Sequence, residues 1–505
     1  KRNLLKYPNN STLISLGWKV FNFVKPYLFP VLMLAYIAGN AYIMAFKKFY
    51  FYPFNFLPLI LFILYTAVYH LQQLVYILAF STPLAISLKE MGLTQGPDLS
   101  IPTEPLMAGI MLVYLMNSIS APLGDRKFMR HPVTILIVIQ LFWMLFTTFT
   151  STDFVVSIKY FTSRLWFIFS CYIIIPHLFQ NKKNIINFVF AYASALAIVV
   201  CYTTIIHSQF NFNDKAADWV VSPFYNDHTA YGAALAMFIP VMFSMLLLKD
   251  IPKYLKIISL ILFLMFMTAI ILSFARAGWL SLVIAIGVLV TLVLKIKFRT
   301  IILTLVTMTV LFFNFQTEIL MVLGKNDTDA EGGFENNITS VSNISTDASN
   351  RERINRWSCA IRMWEDKPVF GWGPGTYMFK YAPYQLSYQL TVISTNFGTN
   401  GNAHSEYLGP LAEQGVLGIL IVLVLLFYVS AFGYRLVYTL ADREDRILCG
   451  ALFLGLMTYF VHGFFNNFLD TDKLSLPFWA FLAALVCFDL FYSKKPKEAK
   501  TVNPV

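Results

Sequence analysis

The chain has 505 residues, 57 % of them hydrophobic and only 13 % charged, with a net charge of +11 and a mean hydropathy of +0.63. A soluble domain carries about 25 % charged residues, so this composition excludes a soluble globular chain and describes a polytopic membrane protein. The basic residues are dispersed over many connections, and the positive balance therefore lends no support to nucleic-acid binding.

Apolar stretches of roughly 17 to 25 residues can cross a bilayer as helices. In chain order they fall near 27–46, 56–70, 72–88, 104–120, 132–149, 160–179, 185–206, 229–248, 255–273, 277–295, 299–315, 411–434, 447–467 and 474–492. The sequence thus predicts an all-α, polytopic membrane bundle of about 12–14 transmembrane helices. Between 56 and 88 the pattern is interrupted by Pro58, His70, Gln72, Gln73 and Pro83, and a re-entrant hairpin would read the same way.

Lysine and arginine recur at alternate connections, among them Arg126, Lys127, Lys182, Lys183, Lys249, Lys253, Lys295, Arg443 and Arg446. The positive-inside rule then places both termini in the cytoplasm and puts 207–228, 274–276, 316–410 and 466–473 on the outer face. Lys47, Lys48 and Lys89 depart from the pattern. The expected organisation is an N-terminal helical part over 1–315, one large outer loop over 316–410, C-terminal helices over 411–492 and a cytoplasmic tail over 493–505. Cys171, Cys201, Cys449 and Cys487 fall in expected spans and Cys359 outside them, which gives neither a disulfide framework nor a metal spacing.

The outer loop opens with a polar tract over 325–350, too poor in large apolar groups to order itself, which reads as a mobile tether. Asp327, Asp329 and Glu331 before Gly332 imitate the start of a calcium loop, but the twelfth position is Ile338 where a bidentate glutamate is needed. A solvated acidic turn is the simpler reading. Asn337 and Asn343 fit the glycosylation acceptor pattern, which Asn-rich tracts produce by chance.

From Ser349 the character changes. Ser349 and Glu352 have capping-box spacing, and at about 100° per residue Arg353, Arg356, Trp357, Ala360 and Trp364 share one helical face. One reading is an interfacial helix with snorkelling arginines. The other is a clamp for a lipid-linked pyrophosphate, since the guanidinium fork matches phosphate oxygens in pairs. Arg276, at the outer junction of two expected spans, has no acidic neighbour in sequence and calls for an anionic partner. Arg164 opens the sixth expected span and is placed to join the same cationic cluster.

Asp470 and Asp472 make a D-x-D pattern that could hold a divalent cation, although Lys473 beside them suggests a locally neutralised turn. His462 and Asn466 lie one helical turn apart and read as a satisfied polar pair.

Taken together, SFARAGWL from Ser273, Arg353 four residues before Trp357, DKPVFGWGPGTY from Asp366 and AHSEYLGPLAEQGVLG from Ala403 resemble the O-antigen ligase and O-antigen polymerase (Wzy-C-like) superfamily of bacterial envelope glycosyltransferases. The motifs cover roughly 275–420; beyond them the likeness is one of topology. The resemblance implies a GT-C-like helical enzyme of the bacterial inner membrane, with its active site facing the periplasm. Such an enzyme takes a glycan from undecaprenyl pyrophosphate and passes it to lipid A-core or another hydroxyl acceptor. It further implies that Arg276 and Arg353 bind the pyrophosphate and that His404 is catalytic; Arg356, by its helical face, and Arg164, by its position, are additional donor-binding candidates. The segment FYNDHTAYG also resembles the family's polar approach to a span, which makes His228 a secondary candidate beside Trp357, Glu406 and Glu413. This chain departs from the family in having His404-Ser405 where His-Asn is frequent, and in its number of spans.

These residue types suit one reaction. A positioned histidine can take the proton of an attacking sugar hydroxyl, and fixed arginines can stabilise a departing pyrophosphate without a cofactor or metal. A single displacement inverts the anomeric carbon. Double displacement would need a carboxylate nucleophile, and only Glu406 and Glu413 stand near His404; Glu413, in the first turn of its helix, reads instead as an orienting group. The expected function is therefore O-antigen ligase-type transfer. Polymerisation, protein O-glycosylation and, from a different class, transport of a lipid-linked glycan are the alternatives. A transporter would carry cations deep within several spans, whereas here they gather at the outer face.

Overall fold

The computed structural model describes residues 71–90, 99–118, 125–314, 348–391, 394 and 401–493, with 30–31, 33–47, 54–55 and 66 from the first part of the chain. Two units are distinguished, Lys1–Leu74 and Val75–Val505. In the first, helix α1 (Met33–Phe46) is joined to a neighbouring segment by Tyr36 donating to Asn55 Oδ1 (2.7 Å) and Asn55 donating to Asn40 Oδ1 (2.6 Å).

The described helices that follow are α2 (Leu71–Leu84), α3 (Thr103–Ser118), α4 (Pro132–Phe149), α5 (Phe154–Phe179), α6 (Lys182–Gln209), α7 (His228–Leu247), α8 (Lys253–Leu272), α9 (Arg276–Val293), α10 (Phe298–Asn314), α11 (Ala348–Asp366), α12 (Leu408–Thr439), α13 (Arg443–His462) and α14 (Asp472–Tyr492). Among the described residues nine helices, α4 to α9 and α12 to α14, are long and apolar enough to cross a membrane, and three shorter apolar helices accompany them. The protein is an all-α polytopic bundle, with one two-stranded antiparallel pairing of Ile86–Ser87 with Ser100–Ile101.

Helix ends differ from the hydropathy windows where a polar cap intervenes. Asp153 accepts a hydrogen bond from Val156 N (3.1 Å) and starts α5 six residues before the expected span. Asp442 accepts from Asp445 N (2.9 Å), so charged residues 443–446 belong to α13. Of the span expected at 72–88, the described helix α2 covers Leu71–Leu84, and residues 67–70 before it lie outside the described residues. The expected span at 56–70, apart from residue 66, and the tether at 325–350, apart from its last three residues, lie outside the described residues.

The bundle centre lies along α7 and α14, whose apolar windows are 78 % and 83 % buried, against 28 % and 22 % in α8 and α9. Tyr192 of α6 stacks on Phe238 of α7 at 4.5 Å, and Phe238 packs on Phe481 of α14. Ile257, Ile261 and Leu264 of α8 face outward, as suits hydrocarbon surroundings.

Outside the spans α11 builds a small core of its own. Cys359, Ala360 and Met363 are buried with Tyr377, Tyr381, Ala403 and Ala412. On the face read as interfacial, Arg356 and Ala360 are covered by protein, so Arg356 does not snorkel, while Arg353, Trp357 and Trp364 are half-buried. The capping-box reading is corrected too: α11 already includes Ala348, so Ser349 lies inside the helix and accepts from Arg353.

Candidate functional site

Arg276 owes its place to a tight turn. After α8, Phe274 adopts φ 53°, Ala275 N donates to Ser273 Oγ (3.3 Å) and the Trp279 indole donates to Ile270 O (2.8 Å). Ala275 is fully buried against Gly232 of α7, where a Cβ would stand 2.5 Å from the Ala275 Cβ. Only a glycine lets α7 approach so closely. Arg276 is thereby the first residue of α9 and lines a cleft of about 430 Å³ together with Arg353, His228, Lys215, Asp214 and Asp218.

His228 reaches the same cleft from the first turn of α7. Asp227 caps that turn by accepting from Thr229 Oγ1 (2.6 Å) and Ala230 N (2.7 Å), while His228 Nδ1 lies 2.6 Å from Asp218 Oδ1. Arg353 is steered along α11 by donating to Ser349 Oγ (2.9 Å) and Asn350 Oδ1 (3.3 Å). Three fixed cations therefore face two carboxylates, one of them already engaged by His228.

The loop carrying His404 is pinned from both sides. His404 has φ 47°; its N–H donates to Asn402 Oδ1 (3.0 Å), and its carbonyl accepts from Trp357 Nε1 (3.3 Å). Trp357 in turn packs on Phe465, which lines the arginine cleft. Two residues on, Glu406 N donates to Gly463 O (2.8 Å), and the Glu406 carboxylate accepts from Tyr459 Oη (2.6 Å) and Leu469 N (2.9 Å). Burial, then the positive charges of Arg353 and Arg356, lower the pKa of His404 to about 4. Its imidazole is neutral at physiological pH. Burial, then the neighbouring Asp470, pushes Glu406 up to about 7.

Arg356 and Arg164 do not join Arg276 and Arg353 in the cleft. Arg356 is buried, with Nε 2.6 Å from Glu352 Oε1 and its guanidinium over the Tyr381 ring at 4.0 Å. Burial disfavours the Glu352 carboxylate, but hydrogen bonds from Ser394, Arg356 and Thr391 outweigh that and hold its pKa below the usual value. Arg164 pairs with Asp470 (2.9 Å) and donates to Leu469 O (3.0 Å) and Tyr160 Oη (2.9 Å). It lines a second cavity, of about 330 Å³, with Glu406, Glu413 and Asp470. The sequence could not show that Asp470, 306 residues away, would claim it.

Glu413 orients backbone. Its carboxylate accepts from Tyr377 N (3.0 Å) and its carbonyl from Gly373 N (2.8 Å), while Trp372 N donates to Ala412 O (3.0 Å). These bonds stitch the glycine-proline loop to a break in α12 at Gly415, which has φ 71°. The two aspartates of the D-x-D pattern turn to different partners: Asp470 to Arg164 and Tyr160, Asp472 to Thr103. Lys473 donates to Thr82 O (2.7 Å) and Ala85 O (2.6 Å). Among the described residues no group of three or more His, Cys, Asp or Glu side chains is arranged to hold a metal ion. His462 and Asn466 do form the expected polar pair, at 3.2 Å.

Sequence reasoning missed Asp218, Tyr160 and Tyr459. Tyr160 alone had a local signal, one helical turn before Arg164.

No curated protein matches the chain. Residues 259–423 match the family model described as O-antigen ligase, a stretch that contains Arg276, Arg353, Arg356, Trp357, His404, Glu406 and Glu413. Arg164, His228, Asp470 and Asp472 lie outside it. Residues 259–423 of this multi-pass membrane chain therefore carry a domain of the O-antigen ligase family, which points to a ligase- or polymerase-type glycosyltransferase.

Proposed function

We propose that the protein is an O-antigen ligase-type transferase of the bacterial inner membrane. It moves a glycan from undecaprenyl pyrophosphate to lipid A-core on the periplasmic side, with inversion and without a metal. The observation that carries this reading is the convergence of Arg276 and Arg353 on one cleft, with the buried loop of His404 close enough for Arg353 to depress that histidine's basicity.

In this mechanism the donor's pyrophosphate lies against Arg276 and Arg353, which take its oxygens in pairs. His404, neutral before the reaction, accepts the proton of the acceptor hydroxyl as that oxygen attacks the anomeric carbon. The bond from that carbon to the phosphate oxygen breaks, and the pyrophosphate leaves with its negative charge held by the two guanidinium groups. Binding of the dianionic donor offsets the charges that hold His404 low. The base strengthens when the substrate is in place.

The test uses purified protein in lipid with a polyprenyl-pyrophosphate glycan. His404→Ala should bind the donor and transfer almost nothing; normal turnover there would remove His404 from the mechanism. Arg276→Lys and Arg353→Lys keep the charge but lose the fork, so each should weaken donor affinity and turnover. Unchanged affinity in the Lys and Ala variants of both would reject the assignment. The glycans on lipopolysaccharide, carrier lipid and protein after deletion would identify the acceptor.

A further inference from the structure

The second cavity, of about 330 Å³, is chemically unlike the arginine cleft. Its walls come from α4, α5, α12, α13 and α14, and the loop bearing His404 contributes Asn402, Ala403 and Ser405. Among the described residues its one cation, Arg164, is already bound to Asp470, and Glu406 and Glu413 stand on the same walls. An anionic ligand therefore finds little positive charge to meet it.

Three buried polar atoms on the walls have no hydrogen-bond partner among the described residues: Gln140 Oε1, Asn467 Oδ1 and Trp479 Nε1. Trp479 is only 2 % exposed. Buried polar groups are normally paired, and leaving one unpaired is unfavourable. Two acceptors and one donor are what hydroxyl groups satisfy, since a hydroxyl both donates and accepts. Most of the remaining wall is apolar, with Leu425 and Leu482 beside the rings of Tyr377 and Trp479. Such a surface suits the C–H face of a sugar ring. The volume falls in the usual range for small-molecule sites, about 300–1,000 Å³.

We propose that this cavity binds an uncharged, hydroxylated sugar ring, and that it is the acceptor subsite, its wall formed in part by the loop that carries His404. Its role as acceptor subsite rests on the transferase reading; the binding of a neutral glycoside does not.

The experiment measures binding to the full chain in lipid nanodiscs by saturation-transfer NMR. The probes are methyl pyranosides of glucose, galactose, N-acetylglucosamine and a heptose, with glucose 1-phosphate and methyl glucuronide as anionic counterparts. At least one neutral glycoside should bind, and its anionic counterparts at least tenfold more weakly. Leu425→Trp, which fills the cavity, and Gln140→Leu, which removes an acceptor, should each weaken the neutral probe about tenfold while leaving polyprenyl-pyrophosphate binding intact. The Gln140→Leu variant, checked by its melting temperature, keeps the test valid should Leu425→Trp not fold. No binding by any neutral probe, equal binding by the anionic ones, or full binding in folded Gln140→Leu would overturn the proposal. Loss of donor binding in Arg276→Lys and Arg353→Lys is read separately: an unchanged donor affinity there with intact glycoside binding would reject the transferase reading and leave the sugar site standing.

Discussion

If His404 is the base, its depressed basicity sets the shape of the pH profile. With a pKa of about 4, about 97 % of the imidazole is neutral at pH 5.5, whereas at the ordinary value near 6.5 only about 9 % would be. The dependence of kcat/KM on pH, which reports the free enzyme, should thus stay nearly flat from pH 7.5 to 5.5 instead of falling about tenfold. The kcat profile, which reports the donor-bound state, should show its acid limb at higher pH, because the pyrophosphate offsets the Arg353 and Arg356 charges that help hold His404 low. Replacing Arg353 by Gln removes one of those charges and should move the kcat/KM limb upward. The same depression has a stability consequence. Between about pH 6.5 and 4 the unfolded chain binds a proton that the folded one refuses, so this contribution is present above pH 6.5 and is lost as the pH falls through that window. A kcat/KM limb near pH 6.5 in the unaltered protein, or one that stays put in Arg353→Gln, would refute the reasoning.

Three further outcomes follow from neighbouring residues. Glu406, raised to about 7, keeps its proton in the fold between its ordinary pKa and 7, so stability falls as pH rises through that range, by at most roughly 3 kcal/mol at about 1.4 kcal/mol per pH unit; Glu406→Gln should flatten melting temperature between pH 5 and 8, and an unchanged slope counts against the buried carboxyl. Gly415→Ala places a Cβ 2.1 Å from Val369 O at φ 71°, and strain of roughly 1–3 kcal/mol or more should lower both melting temperature and transfer; a variant melting like the parent would show that the α12 break can relax. Glycan transfer should persist in excess EDTA, while Asp470→Asn, which takes the ionised partner from buried Arg164, should cost stability without creating a metal requirement. Activity abolished by chelation and restored by magnesium or manganese would transfer the leaving-group role from the arginines to a cation.

Much of the bundle was legible because hydrophobicity is summed over a whole helix. The windows at 132–149 and 229–248 reproduce α4 and α7 to within a residue. Helix ends were less legible because one capping side chain decides them: Asp442 adds a charged first turn that an apolar window excludes, and Asp153 starts α5 ahead of Ser157 and Lys159, which break the apolar run. Arg276 and Arg353 stood out because a cation at the membrane edge needs an anion, and they do meet in one cleft. Arg356 was misgrouped although its partner was in plain view. Glu352 lies four residues before it, the spacing of a helical ion pair, but the Ser349 spacing suggested a cap. Arg164 was misgrouped for a different reason, since Asp470 is brought beside it only by the packing of α5 against the connection before α14.

The same limit concealed the most consequential feature of the site. In sequence, His404 and Glu406 are two letters apart, and Glu406 reads as a secondary candidate beside the catalytic histidine. In the fold, His404 is held low by burial and then by the charges of Arg353 and Arg356, whereas Glu406 turns to Tyr459, Leu469 and the cavity of Arg164. The same short loop thus places His404 under the influence of Arg353, which lines the arginine cleft, and Glu406 on the wall of the other cavity. The arginine cleft offers cations to a pyrophosphate whereas the cavity's cation is already paired, and this difference disfavours exchange of a pyrophosphate-bearing ligand and a neutral one between the two pockets. A transferase needs such discrimination, because a donor held in the acceptor's place would block attack at its own anomeric carbon. On the proposed reading the pairing of Arg164 with Asp470 leaves the cavity little positive charge to hold a pyrophosphate, so that the carrier would favour the arginine cleft.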